Sequence, residues 1–248
     1  MKRLFSGFTL LLAITGLVQA QNAAPTQPAP QKPDVAAQKY GKDGKVNPGF
    51  AAAHNRFVKI AEEGAAELVF LGDSITAGWN GKKAIWEEAF GAYKPANFGI
   101  GGDRTQHVLW RIENGELDGK IKPKAVVIMI GTNNSGSDSA EGIASGVTRI
   151  VETVREKQPQ AKILLLAVFP RGPKAEGNSR RDKLKAVNDT IAKLDDGKHI
   201  HYLDIGDKFL EEDGTLTKEI MPDYLHLSAA GYQIWADAIS PKLAELMK

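Results

Sequence analysis

Several residues that could together form a nucleophilic catalytic site lie just after apolar segments of this sequence. Ser74 follows such a segment on a tight turn, where its hydroxyl would be exposed and could act as a nucleophile. His226 has an acid three residues earlier, Asp223, which could orient the imidazole and stabilise its protonated form. Gly102 and Asn133 could donate hydrogen bonds to an oxyanion. Together these residues supply a nucleophile, a base with the acid that orients it, and oxyanion donors.

Each of these positions also has an ordinary structural interpretation. Asp73 or Ser74 could cap the next helix, and Asp103 could cap the one after Gly102. Asn133 could be a turn residue, because asparagine is common in turns. The nucleophile-elbow pattern Gly-x-Ser-x-Gly is incomplete, since Thr76 occupies its last position. The chemical interpretation therefore depends on whether all these residues meet at one edge of a sheet.

Nucleotide and metal chemistry have little support in this sequence. A dinucleotide fingerprint starting at Gly99 would need glycine at Arg104, and a phosphate loop counted from Gly72 would need glycine at Ala77. The sequence has no cysteine, which excludes disulfides, cysteine-ligated zinc and a cysteine nucleophile. Histidines and acids do not cluster with the spacing of a metal site. We therefore expect no cofactor and no metal.

Only two of the five histidines, His199 and His226, have an acid three residues earlier. His199 precedes the last predicted strand and would lie at its amino end. His226 follows that strand, on the carboxyl side, together with the other candidates. A helical turn would place Asp223 and His226 on one face. The sequence therefore predicts His226 as the base.

The elements that must position these residues alternate along the chain. Continuous apolar runs predict five buried strands of a parallel sheet: Leu68–Leu71, Ala96–Ile100, Ala125–Ile130, Ile163–Phe169 and Ile200–Leu203. Helical patterns cover Ala84–Phe90, Arg104–Glu113, Ala140–Lys157, Ser179–Leu194 and Ala229–Met247. This order predicts a three-layer α/β/α domain, in which ligands bind beyond the carboxyl ends of the strands.

The N-terminal region has a different composition. Residues 1–20 combine Lys2 and Arg3 with a short apolar run and a small-residue cleavage site, which predicts a signal peptide. Residues 21–43 are rich in Pro, Ala and Gln and predict a flexible tether, so the folded domain would span 44–248. Removing Lys2 and Arg3 from the 32 basic residues leaves as many as the 30 acidic ones. We expect a secreted or periplasmic protein that binds neither nucleic acid nor a membrane stably.

Together the segments resemble the sequence blocks of the SGNH (GDSL-like) hydrolases. The blocks are Gly72-Asp73-Ser74, Gly102, Asn133 and Asp223-x-x-His226, in that order. Further stretches resemble the catalytic subunits of intracellular platelet-activating factor acetylhydrolase: residues 97–103, 108–111, 114–117 and 131–134, and Leu225-His226-Leu227. The resemblance covers residues 68–232.

The resemblance implies a flavodoxin-like fold and ester hydrolysis through an acyl-serine. It implies Ser74 as nucleophile, His226 as base and Asp223 as its partner, with an oxyanion hole made by Ser74, Gly102 and Asn133. The intracellular relatives have no signal peptide, and secreted members commonly resemble carbohydrate esterases. We therefore expect a neutral, short acyl ester as substrate, such as an acetylated sugar or polysaccharide. Ile75 and Leu225 would crowd a longer chain.

Two other functions stay open. One is hydrolysis of a lipid, such as a lysophospholipid or platelet-activating-factor-like ester. The other belongs to a different class, a catalytically silent carbohydrate-binding module. Related acetylhydrolases form dimers, so the resemblance also allows a homodimer.

Overall fold

The computed structural model describes residues 30–248 and contains a five-stranded parallel sheet in the order β2-β1-β3-β4-β5. The strands are β1 (Leu68–Gly72), β2 (Pro95–Gly99), β3 (Ala125–Met129), β4 (Lys162–Leu166) and β5 (Ile200–Leu203). Neighbouring strands pair in parallel throughout, for example Gly72 with Gly99. This confirms the predicted three-layer α/β/α fold and its parallel sheet.

Helices cover both faces of the sheet. They are α1 (Pro48–Glu63), α2 (Ser74–Ala77), α3 (Lys83–Phe90), α4 (Thr105–Arg111), α5 (Ala140–Lys157), α6 (Ser179–Ile191) and α7 (Ala229–Leu246). Asn47 starts α1 by accepting a hydrogen bond from the Phe50 N–H at 3.0 Å, with Pro48 in the first position. Ser228 caps α7 in the same way through the Gly231 N–H.

Side chains of each central strand alternate between two apolar cores, because successive residues of a strand point to opposite faces. On β1, Val69 and Leu71 face the core under α1, α4, α5 and α6. Leu68 and Phe70 face the second core, under α3 and α7. The two cores cover both faces of the sheet, which is why its strands read as continuous apolar runs.

Several predicted boundaries differ from the structure by up to three residues, and the structure explains two of these differences. β4 ends at Leu166 rather than Phe169, because the Val168 N–H donates to the side chain of Asn188 on α6 instead of to a strand. The helix predicted over 104–113 is regular only to Arg111. Its next turn is distorted, with Gly115 at φ 116°, a conformation that glycine tolerates.

The N-terminal segment from residue 30 to residue 43 lies against the domain. Its backbone meets the first turn of α4, since Thr105 Oγ1 donates to the Pro33 carbonyl at 2.7 Å and the Ala37 N–H to the Gln106 carbonyl at 3.1 Å. The tether prediction is therefore wrong for this part. The segment buries little apolar surface, so composition suggested disorder, but these backbone hydrogen bonds hold it in place.

The predicted signal peptide and residues 21–29 lie outside the described residues. From residue 30 to the C-terminus, no helix is both long and apolar enough to cross a membrane.

Candidate active site

Ser74 is the first residue of α2 and comes directly after β1 and Asp73. Asp73 Oδ1 accepts a hydrogen bond from the Ile75 N–H at 2.9 Å, so the aspartate fixes the turn that presents the serine. The turn packs against β2, where a Cβ on Gly99 would overlap the backbone nitrogen of Ala77. Glycine at this position thus lets the short helix approach the neighbouring strand, and Ser74 stays half-buried and accessible.

His226 lies in the connection between β5 and α7, in a loop organised by Asp223. Asp223 Oδ1 accepts hydrogen bonds from the backbone N–H groups of Leu225 and His226, at 3.1 and 2.7 Å. Tyr224 adopts φ 59°, so this loop is not the helical turn that the spacing predicted. The aspartate still faces the imidazole, because its own hydrogen bonds close the loop around it.

The three residues form one hydrogen-bonded chain. Asp223 Oδ2 lies 2.6 Å from His226 Nδ1, and His226 Nε2 lies 2.9 Å from Ser74 Oγ. Burial alone would raise the pKa of Asp223, but hydrogen bonds from the backbone and ring of His226 outweigh it, and the pKa lies below its usual value. The His226 side chain is 46% exposed, so a substrate can reach the site directly from solvent.

The other Asp-x-x-His segment has no such arrangement. Asp196 Oδ1 accepts hydrogen bonds from the backbone N–H groups of Lys198, His199 and Ile200, at 2.7–2.8 Å. The ring of His199 takes no part in them. The segment precedes β5, at the amino end of the strand. The same Asp-x-x-His spacing therefore only closes a backbone turn at Asp196, whereas at Asp223 it also pairs the carboxylate with the imidazole of His226.

The glycine turn after β2 lies beside Ser74. A Cβ placed on Gly101 would lie 4.0 Å from the Cβ of Ser74. Gly102 adopts φ 72° and is exposed, so its backbone N–H belongs to an accessible turn next to the serine. The structure therefore places Gly102 in an accessible turn beside Ser74.

Asn133 follows β3 and turns its side chain toward the same place. Its Nδ2 atom donates to the Asp103 carbonyl at 2.8 Å and lies 3.3 Å from Asp73 Oδ2. The second contact is long for an N–H···O hydrogen bond, and a substrate oxygen could replace it. The Asn133 amide thus contacts both the turn that follows β1 and the turn that follows β2. The five predicted site residues meet at one edge of the sheet.

Asp73 is fully buried beneath the site. Burial raises the pKa of its carboxyl group to about 7, although the hydrogen bond from Ile75 opposes this shift. The nearby Asp103 carboxylate raises the pKa further. Asp73 therefore acts as a cap, as one interpretation of the sequence suggested, and its oxygens also contact the side chain of Asn133.

A buried ion network lies behind the glycine turn. Arg111 on α4 is fully buried; its Nε donates to Asp103 Oδ2 at 2.9 Å, and it also pairs with Glu116. Its guanidinium reaches the carbonyl of Phe98 at 3.0 Å as well. Asp103 thus pairs with an arginine instead of capping α4. Sequence reasoning left Arg111 outside the site, although an arginine within an apolar helical stretch was the signal for such a network.

Residues 171–180 are mostly exposed, but one of them reaches the site. Arg171 donates to the hydroxyl and carbonyl oxygens of Thr132 at 3.1 and 3.2 Å, next to Asn133. The loop is joined to the histidine loop, because the Gly172 N–H donates to the Tyr224 carbonyl at 2.8 Å. An open cavity of about 310 Å³ between the two loops is lined by Arg171, Arg180, Asp223, Tyr224 and three further residues.

Within the part of the chain that the structure describes, no group of three or more histidine and acidic side chains is placed to hold a metal ion. The groups that meet at the site are a serine hydroxyl, an imidazole with its carboxylate, and amide donors. A parallel α/β/α fold with this constellation beyond its strands is typical of serine hydrolases.

Comparisons with known proteins agree with this class. Residues 70–234 match the GDSL-like Lipase/Acylhydrolase family. The chain is 43% identical to the platelet-activating factor acetylhydrolase IB subunit alpha1 of Homo sapiens over 195 residues, which cover 78% of this chain and 82% of the relative. The chain therefore belongs to the GDSL-like (SGNH) hydrolase family, as the sequence motifs indicated, and is a carboxylic ester hydrolase.

Solved structures share the fold. A GDSL-like lipase from Bacteroides thetaiotaomicron superposes with a TM-score of 0.63 at 20% identity, covering 79% of this chain and 97% of the other. A carbohydrate acetylesterase from Sinorhizobium meliloti gives a TM-score of 0.56 at 20% identity, covering 73% of this chain and 99% of the other. At this identity the likeness extends to the fold alone.

Proposed function

We propose that this protein hydrolyses short acyl esters, acetyl esters above all, through an acyl-serine intermediate on Ser74. The observation that carries the proposal is the hydrogen-bonded chain from Asp223 through His226 to Ser74, with distances of 2.6 and 2.9 Å. A carboxylate, an imidazole and a hydroxyl in this order can move one proton away from the attacking oxygen and return it to the leaving group.

The reaction follows from these contacts. Ser74 Oγ attacks the ester carbonyl while His226 Nε2 takes its proton, and Asp223 stabilises the resulting imidazolium. The carbonyl oxygen becomes an oxyanion that accepts hydrogen bonds from the N–H groups of Ser74 and Gly102 and from the Asn133 amide. Collapse expels the alcohol, which receives the proton from His226. Water then attacks the acyl-serine by the same sequence and releases the acid.

The surroundings of the triad favour a short acyl group. The adjoining cavity is lined largely by polar and charged groups, including Arg171 and Asp223, and offers little apolar wall to a long chain. The sequence had suggested that Ile75 would crowd a longer acyl chain. The Ile75 side chain is only 2% exposed and packs in the core, where it cannot touch a substrate. Leu225 is half-buried against the same core.

For the alcohol half of the substrate, a phospholipid of the platelet-activating-factor type is our first candidate. The relative at 43% identity is named for that substrate, and the likeness to the carbohydrate acetylesterase is one of fold only. Arg171 and Arg180, which line the cavity beside Asp223, would suit the phosphate of such a lipid. Carbohydrate deacetylation, the expectation from the signal peptide, becomes the second candidate.

The first experiment is an assay of the purified protein and its Ser74→Ala variant on p-nitrophenyl esters from acetyl to octanoyl. We expect the highest kcat/KM with acetyl and a loss of about 10⁶-fold in kcat in the variant, as removal of a serine nucleophile costs elsewhere. Activity that peaks at octanoyl would overturn the short-acyl proposal. Absence of Ser74-dependent hydrolysis, with no labelling of Ser74 by an organophosphonate, would favour the binding module instead.

A second assay separates the two alcohols. The protein would be given a 2-acetyl phospholipid and, in parallel, acetylated xylan and acetylated glucose, with acetate release measured for each. A kcat/KM at least tenfold higher for the phospholipid supports our first candidate. The reverse order would make the protein a carbohydrate deacetylase.

We also propose export from the cytoplasm, which rests on residues 1–20 alone. Expression of the full chain in a bacterial host, followed by mass spectrometry of the periplasmic and extracellular fractions, should find a product beginning at Gln21. An uncleaved chain confined to the cytoplasm would contradict it.

A further inference from the structure

Lys39, in the N-terminal segment that the sequence predicted as a tether, lies at the glycine turn of the site. Its ammonium group donates a hydrogen bond to the Gly101 carbonyl and lies 3.7 Å from Asp103 Oδ1. It is also the group nearest to a Cβ placed on Gly102, at 3.0 Å. The lysine side chain is only 20% exposed, so it is built into the turn rather than extended into solvent.

The backbone around Lys39 is fixed on both sides. The Lys39 carbonyl accepts a hydrogen bond from the Asn47 N–H at 2.8 Å, at the start of α1. Earlier in the segment, Pro33 and Ala37 bond to α4, and Asp34 Oδ2 accepts from Ser145 Oγ at 3.0 Å. The lysine therefore reaches the glycine turn from a segment with its own anchors.

The position of its hydrogen bond matters because of peptide geometry. The Gly101 carbonyl and the Gly102 N–H belong to the same planar trans peptide unit, and they point in opposite directions. A group that holds the carbonyl oxygen therefore also fixes the direction of the N–H. In the proposed mechanism that N–H is an oxyanion donor.

The rest of the turn leaves this peptide unit free to rotate. The Asp103 N–H donates to the Ile100 carbonyl at 3.1 Å, which closes a four-residue turn with Gly101 and Gly102 at its centre. Gly102 at φ 72° gives the turn the type II form. Type I and type II turns keep the same closing hydrogen bond and differ by a flip of the central peptide, and two glycines allow both.

We infer that Lys39 is a positioning residue for the oxyanion hole: it holds the Gly101–Gly102 peptide in the orientation that presents the Gly102 N–H to the substrate. Its charge also polarises this peptide, which makes the N–H a stronger donor. The inference rests on the proposed function, because it gives the Gly102 N–H its role.

The test is a kinetic comparison of wild type with Lys39→Met, which keeps the aliphatic stem and removes the donor. On p-nitrophenyl acetate we expect kcat to fall about 10-fold to 100-fold with KM changed less than about twofold, because the oxyanion forms only in the transition state. Affinity for a short-chain trifluoromethyl ketone, which forms an oxyanion adduct with an active serine, should fall by a similar factor. Lys39→Arg, which retains donors, should recover most of the lost kcat.

Ser145→Ala is the matched control, since it removes an anchor of the same segment without touching the glycine turn. We expect it to keep wild-type kcat. If Lys39→Met lowers only the melting temperature and keeps wild-type kcat and inhibitor affinity, the lysine is a structural tie and the inference is wrong. An equal loss of kcat in Ser145→Ala would also overturn the inference, because it would show that any loosening of the N-terminal segment lowers activity. Wild-type protein without Ser74-dependent hydrolysis would instead refute the proposed function itself.

Discussion

The Nε2 atom of His226 lies 2.9 Å from the Oγ atom of Ser74, although 152 residues separate them in the chain. Ser74 follows β1 and His226 follows β5, and two strands, β3 and β4, lie between β1 and β5 in the sheet. A hydrogen bond of 2.6 Å from the Tyr232 hydroxyl to the Ile75 carbonyl ties α7 to the turn of the nucleophile. The helix that begins three residues after the base therefore contacts the turn that carries the nucleophile.

Asp223→Asn should lower kcat by about 10⁴-fold on p-nitrophenyl acetate. An asparagine amide no longer holds the imidazole in the tautomer that accepts the serine proton, nor does it stabilise the imidazolium. The matched control is Asp196→Asn, in the other Asp-x-x-His segment, where the acid bonds only backbone N–H groups. That variant should keep kcat within about twofold. Equal losses in both variants would remove the special role of Asp223.

Asn133→Ala should lower kcat by about 10²–10³-fold with a smaller change in KM, the cost of one oxyanion donor. Its neighbour Asn134 provides the control. The Asn134 side chain is fully buried and accepts a hydrogen bond from the Thr105 N–H at 3.0 Å, so its role is to stabilise the fold. Asn134→Ala should destabilise the fold by about 1–3 kcal/mol while the folded enzyme keeps its kcat. A loss below tenfold in Asn133→Ala would remove Asn133 from the oxyanion hole.

Asp73→Asn should stabilise the protein by an amount that grows with pH. Burial raises the pKa of Asp73 to about 7 in the fold, against about 3.9 in the unfolded chain. The folded state therefore binds the proton more tightly, and the cost of ionising Asp73 accumulates between about pH 4 and pH 7. One pKa unit corresponds to about 1.4 kcal/mol, so above pH 7 the free energy of unfolding of Asp73→Asn should exceed that of wild type by a few kcal/mol.

Urea unfolding of wild type and Asp73→Asn at pH 4, 6 and 8 measures this difference. The amide keeps an oxygen for the Ile75 N–H and is close to the carboxyl group in shape, so the two proteins should differ little at pH 4. A difference that is constant across the three pH values would show that Asp73 does not titrate in this range.

Arg111→Met should destabilise the fold by about 3–5 kcal/mol, because it leaves the buried carboxylates of Asp103 and Glu116 without their shared cation. The exposed pair of Arg149 and Glu152 on α5 is the control, and Arg149→Met should change the free energy of unfolding by less than about 1 kcal/mol. Urea unfolding at pH 7 gives both values. Equal and small effects would mean that solvent reaches Asp103 and Glu116 when the arginine is removed.

Much of this arrangement could be predicted from the sequence. Apolar runs located all five strands because helices cover both faces of the sheet and bury its central strands almost completely. Residues at strand ends shared an edge because parallel strands end together. Asp223 was preferred to Asp196 for the same reason, by its position after β5. The N-terminal segment was predicted wrongly, because backbone hydrogen bonds such as that between Ala37 and Gln106 have no sequence signature.

By itself the sequence determined the order of the elements, the edge at which a site could form and the residues able to act there, since these follow from hydrophobic periodicity and residue chemistry. Only the tertiary structure decided which side chains touch. It buried Arg111 between two acids and brought Lys39 to the Gly101 carbonyl. Such contacts depend on distances between elements far apart in the chain, and those distances are set by packing rather than by local sequence.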